Sequence, residues 1–531
     1  MLAGEGRIGD VPPSTGWAGG FVATSDPRPA EAAARVLALG GNAVDAAAVA
    51  LFMLNVVEPQ SSGIGGGGFM MIHLAAEGRT LVVDARERAP AAADPQMFLA
   101  DDGQPMPFGI ASTSGVAVGV PGALRGVELA LSRWGTMTLA DALGPAIAAA
   151  EEGIIVDERF ADSTRSQRLE TECGTGAWDV ARRVFRTNGG ASSCGGTPAV
   201  GEILVQRDLA RTLRLIAAQG ADVFYNCDDP SGLARAVVAT QRAARSELGD
   251  RGAGRMTCAD LAGYRAVIRE PVEATYRGWI IRAAPPPSSG GLTLIQMLKM
   301  LERFSLADRK AGFGEGSAPT LNVVQESMRL AFADRAMWMG DTDILPNLPT
   351  RGLIDDRYLS RRSASCPDGD PASDAFCITP GLRMTGIRAG DPRPYETAEA
   401  NLSKLMNAAP VDRQEGTETT HFTITDRWGN IVSCTTTVEA TWGSGLMVPG
   451  FGFLLNNELT DFNFVPRQRG LPMRPIGIPA PTMLHRKSGH VRAWRHSSFL
   501  RLMPAANSQS RPMARRADPG SSIPSSRSPL T

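Results

Sequence analysis

The segment Glu418-Thr419-Thr420-His421-Phe422 places a threonine at the start of a predicted strand. An internal threonine is a poor nucleophile because its hydroxyl proton is held tightly. If the preceding peptide bond were cut, the new α-amine, with a reference pKa of about 7.7–8.0, could act as the general base for the Thr419 hydroxyl. Base and nucleophile would then share one residue. The spacing alone leaves another interpretation open, in which a threonine is present at 419 only because threonine favours the strand conformation.

The sequence around Thr419 changes character at this point. Residues 362–416 are rich in Ser, Asp, Pro and Gly, which predicts little regular structure. Residues 421–425 are predicted as a strand, 426–430 as a turn and 431–437 as the returning strand. A polar segment therefore leads directly into a strand that begins at the candidate nucleophile.

The rest of the chain contains both helical and strand patterns. Asn42 is expected to cap a buried helix over 43–55, and a glycine run at 65–68 precedes two predicted strands. The run lacks the Gly-Lys-Ser/Thr ending of a phosphate loop, so it predicts a tight, closely packed turn. Apolar residues at helical spacing predict further helices over 31–39, 121–134, 139–153, 205–219, 230–245, 292–304 and 321–337.

Composition excludes several classes of protein. The chain has 531 residues and a formal net charge of -1, which gives no electrostatic argument for binding nucleic acid or an anionic membrane. No apolar run reaches the roughly 18 to 20 residues that span a bilayer. Residues 1–20 lack the charged start and apolar core of a signal peptide, so none is predicted.

The cysteines do not predict a metal or redox site. None lies in a CxxC pair, and no His or Cys cluster has metal-ligand spacing, so neither a metal nor a cofactor is expected. Cys173 with Cys194, and Cys366 with Cys377, could each close a loop. The preferred interpretation is that all seven cysteines are buried free thiols.

A set of motifs that runs almost end to end resembles the γ-glutamyltranspeptidase family. One begins Val57-Glu58-Pro59-Gln60-Ser61-Ser62-Gly63-Ile64-Gly65-Gly66-Gly67-Gly68-Phe69, and another is Asp84-Ala85-Arg86-Glu87-Arg88-Ala89-Pro90. The remaining motifs lie at 40–46, 120–122, 285–291, 331–335, 340–341, 419–422 and 455–462. The resemblance covers about residues 18–490 and is very specific because the motifs keep the order of the family.

The resemblance implies an α/β fold, the four-layer αββα sandwich of the N-terminal-nucleophile hydrolase type. It implies a precursor that cleaves itself between Glu418 and Thr419 into a large subunit, 1–418, and a small subunit, 419–531, which remain together as a heterodimer. Thr419 would then form a γ-glutamyl ester with glutathione or another γ-glutamyl donor. Water, or the amine of an amino-acid or peptide acceptor, would resolve that ester. The family works in the periplasm or outside the cell.

The resemblance also implies a role for several side chains. Arg86 is expected to bind the substrate α-carboxylate, because a guanidinium can pair with it through two hydrogen bonds. The alternative for Arg86 is a surface ion pair with Glu87 or Asp84. Thr437 is expected to hydrogen-bond the nucleophile, and its alternative role is strand propensity.

Three acidic residues are expected to contact the substrate. The resemblance assigns Asp461 and Glu458 as acceptors of hydrogen bonds from its α-ammonium, although both could instead be turn residues. Glu439 occupies a position where several family members carry Asn, and it is expected to contact the substrate as well.

Two departures from the family pattern bear on activity. Gly477 and Ile478 replace two serines that hold the substrate carboxylate, which removes two hydroxyl donors worth roughly 0.5 to 1.5 kcal/mol each. Residues 492–531 form an atypical tail, without strand alternation, in place of the loop that supplies the oxyanion hole. Losing such a donor costs about 2.7 to 4 kcal/mol of transition-state stabilisation. The alternatives are therefore a glutaryl-type cephalosporin acylase of the same fold, or an inactive homologue that is never processed.

Overall fold

The computed structural model of the protein describes residues 19–165, 176–186, 195–364, 378, 387–396, 419–462, 464 and 499–501. The helices are α1 Pro27–Ala38, α2 Ala43–Val57, α3 Phe108–Ser112, α4 Ala123–Trp134, α5 Leu139–Glu152, α6 Glu158–Ser163, α7 Gly176–Phe185, α8 Arg207–Gln219, α9 Asp222–Tyr225, α10 Leu233–Ala243, α11 Cys258–Gly263, α12 Gly290–Leu301, α13 Ala318–Trp338 and α14 Asp356–Arg362. The strands are β1 Gly20–Ala23, β2 Gly67–Leu74, β3 Arg79–Ala85, β4 Ile154–Ile155, β5 Ile203–Leu204, β6 Val267–Arg269, β7 Val272–Tyr276, β8 Trp279–Ala283, β9 Thr420–Asp426, β10 Ile431–Thr437 and β11 Phe499–Arg501.

The main sheet is antiparallel throughout and has the strand order β1-β9-β10-β2-β3-β6. The hairpin β9–β10 therefore lies between β1 and β2, with Thr436 paired to Thr420 across the hairpin and to Gly68 on the other side. The residues of β2 are buried along almost the whole strand, which means that both faces of the sheet are covered.

Each face of the main sheet packs against a different layer. Met70 and Ile72 point into the large core that contains α2, whereas Phe69 and Met71 pack on the opposite face against Ala284, directly after β8. Strands β7, β8 and β11 form a second sheet on that side. Leu292 of α12 contacts Val272 of the second sheet, and α13 packs on α12. The order of layers is thus helices, sheet, sheet, helices.

Helix α2 is the central helix of the large core. Asn42 and Asp45 form a capping box at its start, as the sequence predicts for Asn42. Every residue from Ala43 to Val57 is buried, so α2 is apolar on all sides rather than amphipathic. In the part of the chain that the structure describes, no helix combines the length and apolar character needed to cross a bilayer.

One expectation from the sequence is wrong. Cys227 and Cys258 form a disulfide across a sequence separation of 31 residues, instead of remaining free thiols. They meet because α9 and α11 pack together, which sequence spacing does not reveal. Cys434 is buried and free, as expected, and the two pairings considered from spacing involve residues outside the described part. Of the tail at 492–531 the structure describes residues 499–501, which form β11 at the edge of β8, where backbone hydrogen bonds need no side-chain alternation.

Candidate active site

The candidate nucleophile lies where β9 begins and β10 ends. The register of the hairpin puts Thr419 opposite Thr437, and the Thr419 hydroxyl donates a hydrogen bond of 3.2 Å to Thr437 Oγ1. Thr437 Oγ1 also accepts the backbone N–H of Glu439 at 2.8 Å. The Thr437 hydroxyl therefore orients the Thr419 side chain and is itself held by the loop that follows β10.

Glu439 lies in that loop with a backbone φ of 84°, in the left-handed region that non-glycine residues rarely adopt. Its side chain is buried, and the Asn457 amide donates to its Oε2. Asn457 also accepts the N–H of Ala440 at 3.1 Å. Such backbone strain costs on the order of 1 to 3 kcal/mol and persists only where surrounding contacts enforce it, which is common at functional sites.

Arg86 follows β3 directly and is almost completely buried, with 1% of its surface exposed. Its guanidinium donates to Glu87 Oε2 at 3.2 Å and to Glu458 Oε1. The ion pair with Glu87 considered from the sequence exists, but in the interior and not at the surface. Asp84 pairs instead with Arg269, at 2.7 Å.

The charge of Arg86 is stabilised by its surroundings. Burial lowers its pKa, but the carboxylates of Glu458, Glu87 and Asp461 outweigh burial, and the net effect is a raised pKa. Burial and the neighbouring charge of Glu458 raise the pKa of Glu87 well above its usual range. These surroundings therefore favour the charged form of Arg86 and the protonated form of Glu87.

Glu458 and Asp461 belong to one short 3-10 turn, Glu458–Asp461, so they are turn residues that also face Arg86. The preceding Asn456 fixes this turn, because its amide donates to the carbonyls of Gly65 and Gly119 at 2.7 and 2.9 Å. Glu458 lies 372 residues from Arg86 in the sequence, and the turn brings both acids close to the guanidinium.

Three buried polar atoms in the cluster of Arg86, Glu87 and Glu458 have no hydrogen-bond partner among the described residues. They are Nε of Arg86, Oε1 of Glu87 and Oε2 of Glu458. Each such atom costs about 1 to 3 kcal/mol if nothing satisfies it. Arg86 Nε is a cationic donor and Glu458 Oε2 an anionic acceptor, and the two side chains form an ion pair, so together they match a ligand that carries both a carboxylate and an ammonium.

The glycine run makes this arrangement possible. A side chain at Gly66 would put its Cβ 2.1 Å from the Thr437 carbonyl oxygen, and one at Gly65 would put it 2.0 Å from that of Leu454. Both distances are far below van der Waals contact, so only glycine allows the backbone of this turn to approach Leu454 and the end of β10. Gly65 and Gly66 lie in the tight turn predicted from the sequence, whereas Gly67 and Gly68 already belong to β2.

A chain of hydrogen bonds next to the nucleophile was not predicted from the sequence. Ser25 donates to Glu58 Oε2 at 3.0 Å and lies 2.8 Å from the Thr420 hydroxyl, while Arg159 donates to Glu58 Oε1 at 2.9 Å. Because the Ser25 proton is directed at Glu58, Thr420 donates to Ser25. The position of Glu58 in one of the family motifs was the available signal.

The other predicted site residues lie outside the described part of the chain. They are Glu418, Gly477 and Ile478. The cleavage point and the effect of the two lost hydroxyls therefore stay predictions.

The chain is similar in sequence to known proteins. The family model described as gamma-glutamyltranspeptidase matches residues 29–492. The glutathione hydrolase proenzyme of Bacillus subtilis (strain 168) is 40% identical over 468 residues, which cover 88% of this chain and 72% of that protein. The Acylase ACY 1 proenzyme of Pseudomonas sp. (strain SE83) is 34% identical over 500 residues, covering 92% of this chain and 78% of that protein.

A solved structure extends the comparison to the fold. The crystal structure of Helicobacter pylori gamma-glutamyltranspeptidase matches with a TM-score of 0.59 and 31% identity, covering 75% of this chain and 99% of that one. The predicted αββα fold of the N-terminal-nucleophile type is confirmed by this similarity and by the four layers described above. On the family match, the sequence identity and the fold, the chain belongs to the γ-glutamyltranspeptidase family of enzymes.

Proposed function

We propose that the chain is a self-processing γ-glutamyltransferase and glutathione hydrolase. It cuts itself before Thr419, forms a γ-glutamyl ester on the Thr419 hydroxyl, and transfers the acyl group to water or to an amino-acid or peptide amine. The observation that carries this proposal is the pair of buried atoms without partners, Arg86 Nε and Glu458 Oε2, close to charged groups that suit an α-amino acid.

Self-cleavage is the first step of the proposal. Hydrolysis of the bond between Glu418 and Thr419 frees an α-amine on the nucleophile itself. The 3.2 Å hydrogen bond from Thr419 to Thr437 supports this role, because it holds the hydroxyl in one orientation. The two products then make up a heterodimer of residues 1–418 and 419–531.

Donor binding uses the charged cluster. The α-carboxylate of the γ-glutamyl donor accepts hydrogen bonds from Arg86, including one from Nε. The α-ammonium donates to Glu458 Oε2, with Asp461 and Glu439 as its further acidic neighbours. These bonds satisfy the two buried atoms that are otherwise costly, and they orient the γ-carbonyl toward Thr419.

Acyl transfer follows from that orientation. The α-amine of Thr419 takes the hydroxyl proton as Oγ1 bonds to the γ-carbonyl carbon, and it passes that proton to the leaving amine as the C–N bond breaks. Water or an acceptor amine then attacks the ester carbon, the bond to Oγ1 breaks, and the proton returns to Thr419. Each cycle therefore restores the enzyme.

The disulfide also indicates the compartment in which the protein works. Disulfides persist in oxidising compartments, so the Cys227–Cys258 bond supports placement in the periplasm or outside the cell, as the resemblance implies.

A second candidate is a glutaryl-type cephalosporin acylase, favoured by the similarity to the Acylase ACY 1 proenzyme. A glutaryl group has no ammonium, so it would leave Glu458 Oε2 without a donor. This difference favours γ-glutamyl donors over glutaryl donors.

The experiment has two stages. Intact mass after incubation is compared for the wild type and Thr419→Ala, and two fragments that meet at Glu418 and Thr419 are expected only in the wild type. The processed protein is then assayed with a γ-glutamyl anilide and the matching glutaryl anilide. A single uncut wild-type chain refutes self-processing, and faster turnover of the glutaryl anilide selects the acylase.

A further inference from the structure

We propose that Tyr264, braced by the Cys227–Cys258 disulfide, is a positioning residue for substrate binding by Arg86. The inference rests on the proposed function, because it takes Arg86 to be the group that binds the donor carboxylate.

Tyr264 holds the backbone of Arg86 directly. It follows α11, its side chain is buried with 1% of the residue surface exposed, and its hydroxyl donates to the Arg86 carbonyl oxygen at 2.7 Å. On its other side, the Arg86 N–H donates to Asp84 Oδ1 at 3.1 Å. Both backbone polar groups of Arg86 are therefore fixed, and with them the direction in which the guanidinium leaves the chain.

Neighbouring residues enclose the Tyr264 side chain and restrict the orientation of its ring. A Cβ at Gly122 would lie 2.0 Å from the Tyr264 hydroxyl oxygen, so the absence of a side chain there gives the phenol access to Arg86. Tyr225 stacks on the Tyr264 ring with centroids 6.0 Å apart, and Arg88 lies over the ring at 5.3 Å. The phenol is thus enclosed by contacts that keep its hydroxyl on the Arg86 carbonyl.

The disulfide fixes the two segments that carry this pair of rings. Cys227 lies two residues after Tyr225, and Cys258 begins α11, which ends immediately before Tyr264. Helix α11 has only six residues, and so short a helix is marginal without tertiary support. Neither cysteine contacts Arg86 in the described contacts, so the bond would act on the site through Tyr264.

Tyr264→Phe tests the positioning role because it removes the hydroxyl and keeps the ring. Loss of one buried hydrogen bond predicts a KM for the γ-glutamyl anilide about three- to tenfold higher. The kcat and the rate of self-cleavage are expected to stay within about twofold, because Thr419 and Thr437 are not touched. A purely structural role would instead lower the melting temperature and the processed fraction, with KM unchanged.

Tyr225→Phe is the matched control. Tyr225 belongs to the same ring stack, but its hydroxyl donates to the Pro121 carbonyl at 3.1 Å and not to Arg86. Its loss is expected to leave KM at the wild-type value. An equal rise in KM for both variants would overturn the inference, as would a wild-type KM for Tyr264→Phe.

A separate experiment tests the role of the disulfide. The double variant Cys227→Ser/Cys258→Ser, and the wild type treated with dithiothreitol, are expected to show a KM about two- to threefold higher. In the Tyr264→Phe background reduction is expected to change KM no further, because the two act through one contact. If the effects of reduction and of Tyr264→Phe on KM were additive, the disulfide would act independently of Tyr264, and its proposed role in holding Tyr264 would be refuted.

Failure of the proposed function gives a different result. If the wild type neither turns over the anilide nor binds L-glutamate in calorimetry, Arg86 does not bind the donor carboxylate, and the inference about Tyr264 is refuted as well. If the wild type is active but Tyr264→Phe has the same KM, only the positioning role of Tyr264 is overturned.

Discussion

Thr437→Val is the substitution that most directly tests the geometry of the nucleophile. Valine keeps the shape of threonine and removes the hydroxyl that accepts from Thr419 at 3.2 Å and from the Glu439 N–H at 2.8 Å. The first bond is worth about 0.5 to 1.5 kcal/mol, and leaving the buried N–H without its acceptor costs about 1 to 3 kcal/mol.

The two losses together amount to about 1.5 to 4.5 kcal/mol if both are felt in the transition state. Self-cleavage is then expected to slow by roughly ten- to thousandfold. The assay is a time course of intact mass, in which the full-length chain and its two fragments are measured at each point. Cleavage of Thr437→Val at the wild-type rate would refute the reasoning.

The neighbouring Thr436 provides the control. It is equally buried and its hydroxyl donates to the Gly67 carbonyl at 3.2 Å, but it does not contact the nucleophile in the described contacts. Thr436→Val is expected to lower the melting temperature by a similar amount and to cleave normally. If both variants lose cleavage equally, the effect belongs to strand stability and not to orientation of Thr419.

Two further predictions concern charged groups at the site. Arg86→Lys replaces a planar fork by a single ammonium that cannot hold Glu458 and a substrate carboxylate in the same geometry, so the KM for a γ-glutamyl anilide should rise about 10- to 100-fold. Self-cleavage serves as the internal control and should not change, and an unchanged KM would exclude Arg86 as the carboxylate ligand. Burial lowers the pKa of His421 below its usual value of 6.5, so the folded chain binds fewer protons than the unfolded chain between the two pKa values. The free energy of unfolding should therefore fall as pH drops from about 6.5 through the folded pKa, and His421→Asn should weaken this loss in urea titrations across that range. Parallel pH curves for wild type and variant would contradict the assignment.

Elements with local signals were predictable from the sequence. The strand at 431–437 was predicted with the bounds that the structure has, because a run rich in β-branched residues follows an Asp-Arg-Trp-Gly-Asn turn. Helix α2 was predicted because Asn42 marks its start and the apolar run that follows is too short to span a membrane. Both signals act within a few residues of the elements they specify.

Contacts between distant segments were not predictable in the same way. The resemblance pointed to Arg86 and Glu458 as site residues, but their mutual ion pair depends on how the 458–461 turn packs against the end of β3. The Cys227–Cys258 disulfide and the contact of Tyr264 with Arg86 have the same origin. Local pattern carries no information about which side chains tertiary packing brings together.

The position of the hairpin β9–β10 inside the main sheet has a consequence for the processed protein. If the chain is cut before Thr419, the smaller fragment contributes two adjacent strands to the main sheet, and the larger fragment pairs with both outer sides of them through β1 and β2. The fragments then cannot separate without opening these two backbone ladders and the ladder between β11 and β8. Once they are separated by denaturant, refolding becomes a second-order reaction whose rate depends on protein concentration, whereas the uncut chain refolds in a first-order reaction. After cleavage, the chain could therefore no longer refold as a single unit, just as the cut peptide bond could not re-form.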